Sequence, residues 1–249
     1  MVGRVGYAPT TSAVMNNFNR IIRDKKIGLI LYARMSSKRF HGKVLEKVYD
    51  NKNILQIVIT NLKKINLHNN LIVATSNLKS DKKIVKFCET NKIKFFLGNH
   101  RNVFLRTKMC IKKYNLKYFV RICGDRPFFD VILMKKMIKL IVSDKFDIVT
   151  NANPRTYPKG LTCEVARSEI FKQINIKKLS KKDKEHIFAY FYKNNKYKIY
   201  NLKSKFDKNF LNKNFCLDTK KDVYKLKKIF EKFSQKNVKI NTNNLYKLS

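Results

Sequence analysis

The sequence predicts an α/β protein built from βαβ units around a mostly parallel central sheet, and three observations point to it. From Ile27 onward, short apolar runs alternate with longer amphipathic ones, the pattern left by parallel strands and their crossover helices. No repeat, Gly/Ser linker or shift of composition breaks the chain after residue 27, so residues 26–249 are expected to form a single domain. The 249 residues are also enough for one large core.

Taken in order, residues 1–25 show no sustained period. They are expected to be disordered, or to be an extension from a start codon placed upstream of a more natural one at Met15. Strands are predicted at 27–33 (IGLILYA), 71–76 (LIVATS), 93–97 (IKFFL), 118–123 (YFVRIC), 146–150 (FDIVT), 161–166 (LTCEVA), 196–202 (KYKIYNL) and 214–218 (NFCLD). Each is short and apolar and rich in β-branched or aromatic residues. Helices fit 53–66, 80–91, 101–114, 131–142, 167–175, 180–194 and 219–232. Two of them open with capping boxes, Ser180 with Asp183 and Thr219 with Asp222.

Charge is the most conspicuous feature of the composition. There are 56 Lys and Arg against 17 Asp and Glu, a formal net charge of +39, more than solubility requires. Nucleic-acid modules gather their cations on one face, with aromatics interleaved. Here the lysines run along the whole chain beside abundant Asn, Ile, Phe and Tyr, as coding DNA rich in A and T would leave them, and no specific nucleic-acid partner is expected. Cys88, Cys110, Cys123, Cys163 and Cys216 are far apart and form no CxxC pair. They read as reduced core thiols of a cytoplasmic protein. His41, His68, His100 and His186 show no metal-ligand spacing. No apolar run approaches the roughly 18 residues of a membrane span.

In open α/β sheets ligands bind beyond the carboxyl ends of the strands, and the motifs lie there. The first strand ends at Ala33 and opens into Arg34-Met35-Ser36-Ser37-Lys38-Arg39, with Gly42-Lys43 beyond. Backbone N–H groups, hydroxyls and cations in such a loop can surround the oxygens of a triphosphate. It is neither a Walker A loop nor GxGxxG. The strand YFVRIC ends in Gly124-Asp125-Arg126-Pro127, where a carboxylate suits Mg²⁺. Asp218 ends NFCLD, just before a capped helix, and is a second candidate ligand. Asp130 reads as an N-cap. The Pro- and Gly-punctuated stretch 153–166 has the form of a substrate lid, with Arg155 and Glu164 as its contact residues. Glu185 and His186 are further candidates on the helix that follows.

The order of these motifs resembles the SpsF-like cytidylyltransferase family, relatives of the CMP-sugar synthetases for KDO and sialic acids. A family pattern like ARMGSTRLPGKVL meets ARMSSKRFHGKVL, and VRITGDCPLID meets VRICGDRPFFD. PRTYPDGLDVEV meets PRTYPKGLTCEV, REH meets KEH, and LDTPED meets LDTKKD. The resemblance covers Ile27 to about Phe230. It implies a three-layer α/β/α nucleotide-diphospho-sugar transferase fold, GT-A-like and Rossmann-like. It also implies transfer of a cytidylyl group from CTP to an acidic or amino sugar with release of pyrophosphate, serving surface polysaccharide or glycan synthesis. In that reading Arg34, Lys43 and Asp125 are catalytic. Ala33, Arg34, Met35, Ser36, Ser37, Arg39, Lys43, Thr75 and Gly124 hold the nucleotide. Arg106, Arg155, Tyr157, Glu164, Glu185 and His186 meet the sugar, Asp125 and Asp218 hold Mg²⁺, and a homodimer follows by analogy.

The chain departs from the family pattern at several positions. Ser36 stands for the loop glycine, His41 for a proline and Arg126 for a small residue. Acidic positions appear as Asn102, Leu105, Lys159 and Thr162. Two alternatives share the fold: a glycosyltransferase using a nucleotide-sugar, and a catalytically impaired module that holds nucleotide or polyanion.

Overall fold

A computed structural model describes residues 18–22 and 24–248. Most of the expectation for residues 1–25 therefore falls on residues 1–17, outside the described residues. Residues 18–22 form a helical turn that buries Phe18 and Ile22 in the core.

The sheet has seven strands in the order β5-β4-β1-β6-β8-β7-β9. They are β1 (Ile27–Tyr32), β4 (Leu71–Ser76), β5 (Lys94–Gly98), β6 (Tyr118–Cys123), β7 (Ile148–Thr150), β8 (Glu164–Arg167) and β9 (Ile199–Asn201). Neighbours run parallel except at β8, which is antiparallel to both β6 and β7. β1 and β4 are buried almost throughout, as expected of strands covered on both faces, and their sequences are correspondingly continuous in apolar residues. β2 (Lys47–Tyr49) and β3 (Lys52–Asn53) form a separate hairpin across Asp50 and Asn51, both at positive φ.

Alternate residues of each strand feed two cores, one per face. Leu29, Leu31, Val73, Val120 and Ile122 enter one of them. There they meet α1 (Ile54–Lys63), α2 (Lys82–Thr90), α4 (Val131–Ile141) and α9 (Lys220–Gln235). Ile30, Ile72, Phe119 and Ala166 enter the other, against α3 (Val103–Lys113), α5 (Ser168–Lys172) and α7 (Ala189–Tyr192). The result is the three-layer α/β/α arrangement. Short helices α6 (Lys181–Glu185), α8 (Lys208–Leu211) and α10 (Thr242–Leu248) complete the chain. Helix starts follow local chemistry: Asn53 and Gln56 form a capping box on α1, Asp130 accepts from the N–H groups of Ile132 and Leu133, and Thr219 with Asp222 caps α9.

Two expectations are corrected. Residues 214–218 are no strand of the sheet, since only a single bridge joins Asn214 to Lys159. The segment is apolar because Phe215, Cys216 and Leu217 are buried where it crosses beneath the 153–163 loop. The helix expected over 180–194 breaks into α6 and α7, because Ile187 and Phe188 turn into the second core. Among the described residues all five cysteines are free thiols, and burial pushes Cys88, Cys110, Cys163 and Cys216 up to about 12. No described helix is long and apolar enough to cross a membrane.

Candidate functional site

The chain lays β1, β4 and β5 outward in one direction and then returns to place β6 on the other side of β1. That reversal opens a crevice at the carboxyl ends of β1 and β6, where open α/β sheets bind ligands. The loop after β1 and the Gly124–Pro127 turn after β6 face each other across it. They are joined by the N–H of Gly124, which donates to Tyr32 O at 2.9 Å. A Cβ at Gly124 would lie 3.1 Å from that same oxygen, so a glycine lets the two strand ends meet.

The loop after β1 is held by its own backbone and by a buried carboxylate. The N–H groups of Ser37 and Gly42 both donate to Met35 O at 2.8 Å, and Gly42 adopts φ 73°, which a side chain would disfavour. Asp81, fully buried, accepts from the N–H of Met35 at 2.7 Å and from the N–H of Ser76 at 3.2 Å, and Ser76 Oγ also donates to it. It thereby ties the loop to the end of β4. Ser36 is not among the residues at positive φ, so serine in place of the family's glycine brings no backbone strain. Ser36 Oγ and Thr75 Oγ1 are buried beside this loop and find no hydrogen-bond partner.

Lys43 brings together Asp125, just beyond the end of β6, and Asp218, just before α9. Its Nζ donates to Asp125 Oδ2 at 2.5 Å and to Asp218 Oδ1 at 3.4 Å. Arg39 donates to Asp218 Oδ1 at 2.8 Å and Lys159 to Asp218 Oδ2 at 2.5 Å. Burial alone would raise the Asp218 carboxyl, but the Lys159 hydrogen bond and the charges of Lys43, Lys159 and Arg39 outweigh it and hold it below the ordinary carboxylate value. Asp218 reaches this place because the N–H of Leu217 donates to Asp125 O at 2.9 Å and that of Phe215 to Lys159 O at 2.7 Å. Gly160 makes the second contact possible: at φ 99° it passes so close that a Cβ would meet the Phe215 carbonyl carbon at 2.7 Å.

A second group of charges sits where β6 pairs with β8, with Arg121 opposite Glu164. Arg121 pairs with Glu164, and Tyr192 donates to the other Glu164 oxygen at 2.7 Å. Burial above all, and then the charge of Glu164, push the Tyr192 hydroxyl up, so it remains a donor. Arg126 donates to Thr162 O at 3.1 Å and to Thr162 Oγ1 at 2.6 Å, while its Nε is buried without a partner. The arginine and the threonine, both departures from the family pattern, are thus one interacting pair.

Of the residues singled out in the sequence, Met35, Arg39, Lys43, Gly124, Asp125 and Asp218 come together in one place. Arg34 reaches the exposed Glu185 at 3.8 Å, and Ala33 ties β1 to β4 through its N–H to Ala74 O at 3.3 Å. Arg106 is buried against Gly98 and donates to Asn99 O at 3.1 Å, with its charged form disfavoured chiefly by that burial. His186 is exposed at the end of α6. Arg155 and Tyr157 stand apart from the cluster. Thr156 donates to Leu202 O and Asn201 to Pro154 O, which fastens that part of the loop at the β9 edge, where Tyr157 packs against Phe206. Asp81, Arg121 and Tyr192 were not foreseen as site residues, and Lys159 was singled out only as a departure from an acidic position of the family pattern.

Asp125 and Asp218 form a donor set of hard oxygen ligands with no His or Cys. Such a pair fits Mg²⁺, which takes one or two protein carboxylates and completes its shell with water and phosphate oxygens. Among the described residues no group of three or more His, Cys, Asp and Glu could hold a metal unaided.

The chain belongs to the family described as Cytidylyltransferase, whose pattern matches residues 28–245, and so to the nucleotidyltransferases. It is 33% identical over 178 residues to an uncharacterized protein of Methanocaldococcus jannaschii, covering 71% of this chain and 72% of that one. It is 28% identical over 166 residues to the spore coat polysaccharide biosynthesis protein SpsF of Bacillus subtilis, covering 65% and 68%. A cytidylyltransferase structure from Leptospira borgpetersenii superposes with a TM-score of 0.76 at 23% identity, covering 86% of this chain and 95% of the other. A CMP:2-keto-3-deoxy-manno-octonic acid synthetase complexed with CTP superposes at 0.60 and 14%, covering 84% and 99%.

Proposed function

We propose that the protein transfers a cytidylyl group from CTP to the hydroxyl of a sugar, releasing pyrophosphate, with Mg²⁺ held by Asp125 and Asp218. One observation carries the reading: Lys43 bridges Asp125 and Asp218, and Arg39 of the loop that holds Arg34, Ser36 and Ser37 meets the same Asp218. Phosphates and a divalent cation need these opposite charges side by side. The family's description as Cytidylyltransferase and the name of the CMP:2-keto-3-deoxy-manno-octonic acid synthetase support the same class of reaction, and the polysaccharide biosynthesis in the name of SpsF supports a sugar acceptor.

The chain's contribution is alignment and charge. Loop N–H groups, hydroxyls and guanidinium groups hold the triphosphate, and Lys43 follows the phosphate charge as pyrophosphate departs. Bound Mg²⁺ would neutralise phosphate charge and favour the leaving group. Arg121, Glu164, Tyr192 and Arg126 line the adjoining side, where the sugar would be placed. No enzyme-bound covalent intermediate is required.

The test is the thermal shift of the protein with CTP, ATP, GTP and UTP, each with and without Mg²⁺, for the wild type and Asp125→Ala. A ligand bound only by the folded state raises stability by mass action. A metal-dependent shift selective for CTP and lost in the variant is expected. Equal shifts with all four nucleotides, regardless of metal and mutation, would instead mean anion binding by a basic surface. A second reading, a module that holds nucleotide without turnover, is favoured by the Lys159 ammonium on Asp218. Pyrophosphate release in the presence of acceptor sugars separates the two.

A further inference from the structure

Both oxygens of Asp218 are occupied by this chain's own cations. Oδ1 accepts from Arg39 and Lys43, and Oδ2 accepts from Lys159. Lys43 also holds Asp125. Three cations therefore face two carboxylates, a local surplus of positive charge. A free divalent cation would have to displace an ammonium group and then sit close to the remaining positive charges. A triphosphate meets the opposite situation, because the surplus attracts it.

The cations differ from the carboxylate in freedom. Asp218 is 5% exposed, whereas the side chains of Arg39 and Lys159 are 62% and 42% exposed. Lysine is a mobile point charge on a flexible stem, so it can swing to a phosphate while Asp218 stays in place. The backbone of Lys159 is nonetheless fixed, through the Phe215 N–H on its carbonyl and the close passage of Gly160. Its ammonium group is thus tethered within reach of the site.

We infer that Lys159, with Lys43, keeps the Asp125–Asp218 pair closed to a free divalent cation until nucleotide phosphates draw the ammonium groups away, so that metal enters with or after the nucleotide. This rests on the proposed role of the two aspartates at a triphosphate site.

Mn²⁺ is the probe, its free concentration read by electron paramagnetic resonance with the full chain, with and without the α,β-methylene analogue of CTP, and the Mn²⁺ that the analogue chelates by itself is subtracted from a titration without protein. The wild type should bind Mn²⁺ at least about tenfold more weakly alone than with the analogue. Lys159→Met removes the charge without adding a ligand, and should tighten binding of Mn²⁺ alone by about tenfold or more. Lys159→Asp should tighten it further, and circular dichroism verifies that both variants are folded. Because Lys159→Asp introduces a donor of its own, the Met variant decides. The inference is overturned if Mn²⁺ binds the wild type equally well without the analogue, or if Lys159→Met gains nothing. Calorimetric titration of the analogue keeps this separate from the underlying proposal: failure of the inference leaves analogue binding intact, whereas no analogue binding under any condition removes both.

Discussion

Asp81 offers the most direct test of how the site is held. It is fully buried, and its carboxylate accepts from two backbone N–H groups, those of Met35 on the loop after β1 and Ser76 at the end of β4, as well as from the Ser76 hydroxyl. Asp81→Ala would leave both N–H groups buried without their acceptor, at about 1–3 kcal/mol each. The expected loss is roughly 2–6 kcal/mol, large against the about 5–15 kcal/mol of a whole domain. For a chain of this size that corresponds to a fall in Tm on the order of 10 °C. Asp81→Asn keeps one carbonyl acceptor but turns an amide donor toward one of the two N–H groups, so it should recover only part of the loss. Urea unfolding gives the stability and the CTP thermal shift gives the state of the loop. A loss below about 1 kcal/mol, or an unchanged CTP response in Asp81→Ala, would refute the view that Asp81 fixes the loop.

Other perturbations follow from the same contacts. Gly160→Ala forces a Cβ onto the Phe215 backbone at positive φ; the left-handed conformation alone costs about 1–2 kcal/mol, and urea unfolding should show at least that loss, together with a weaker nucleotide response. Tyr192→Phe deletes a hydrogen bond to the Glu164 side chain that Arg121 also pairs with, worth about 1.5–3 kcal/mol for a charged partner; equal urea midpoints for variant and wild type would remove Tyr192 from the network. The Asp218 carboxyl is held below its ordinary value, so its contribution is present above the unfolded value of about 4 and is lost as pH falls through the lower folded value. The stability gap between wild type and Asp218→Asn should accordingly be full at neutral pH and close on acidification below about pH 4; a gap independent of pH would contradict the ion cluster.

What could be seen in the sequence was what is decided locally. β1 and β4 were legible because both faces of a central parallel strand are covered, which leaves a nearly continuous apolar run, and β6 was legible by the same pattern interrupted only at Arg121. The loop after β1 was legible because strand ends bind ligands and because Gly42 and Lys43 follow Arg34 to Arg39 so closely. Apolar character alone misled at 214–218, where Phe215 and Leu217 are buried by threading under a loop and not by strand pairing. At β8 the expected strand began too early, since Leu161 and Cys163 give their backbone groups to the Asn151 side chain. The Lys159–Asp218 contact could not be read from local pattern. It joins residues 59 apart in sequence, and it exists only because Gly160 allows two loops to cross.

The charge of +39 and the charge of the site make separable predictions. Exposed lysines act through solvent, where at physiological ionic strength the screening length is about 8 Å. The cluster at the strand ends is different: Asp218, Lys43 and Asp125 are in hydrogen-bond contact, and Asp218 and Lys43 are buried, so salt weakens them far less. A nucleotide would enter that cluster by exchange, each ammonium group leaving a carboxylate for a phosphate, with no change in the number of close charge contacts it makes. The thermal shift with CTP and Mg²⁺ should therefore survive when ionic strength is raised from about 0.05 M to 0.3 M, while adventitious anion binding by the surface should fall away over the same range. If the two decline together, the site has no affinity beyond that of the basic surface, and the exchange at Asp218 is refuted along with it.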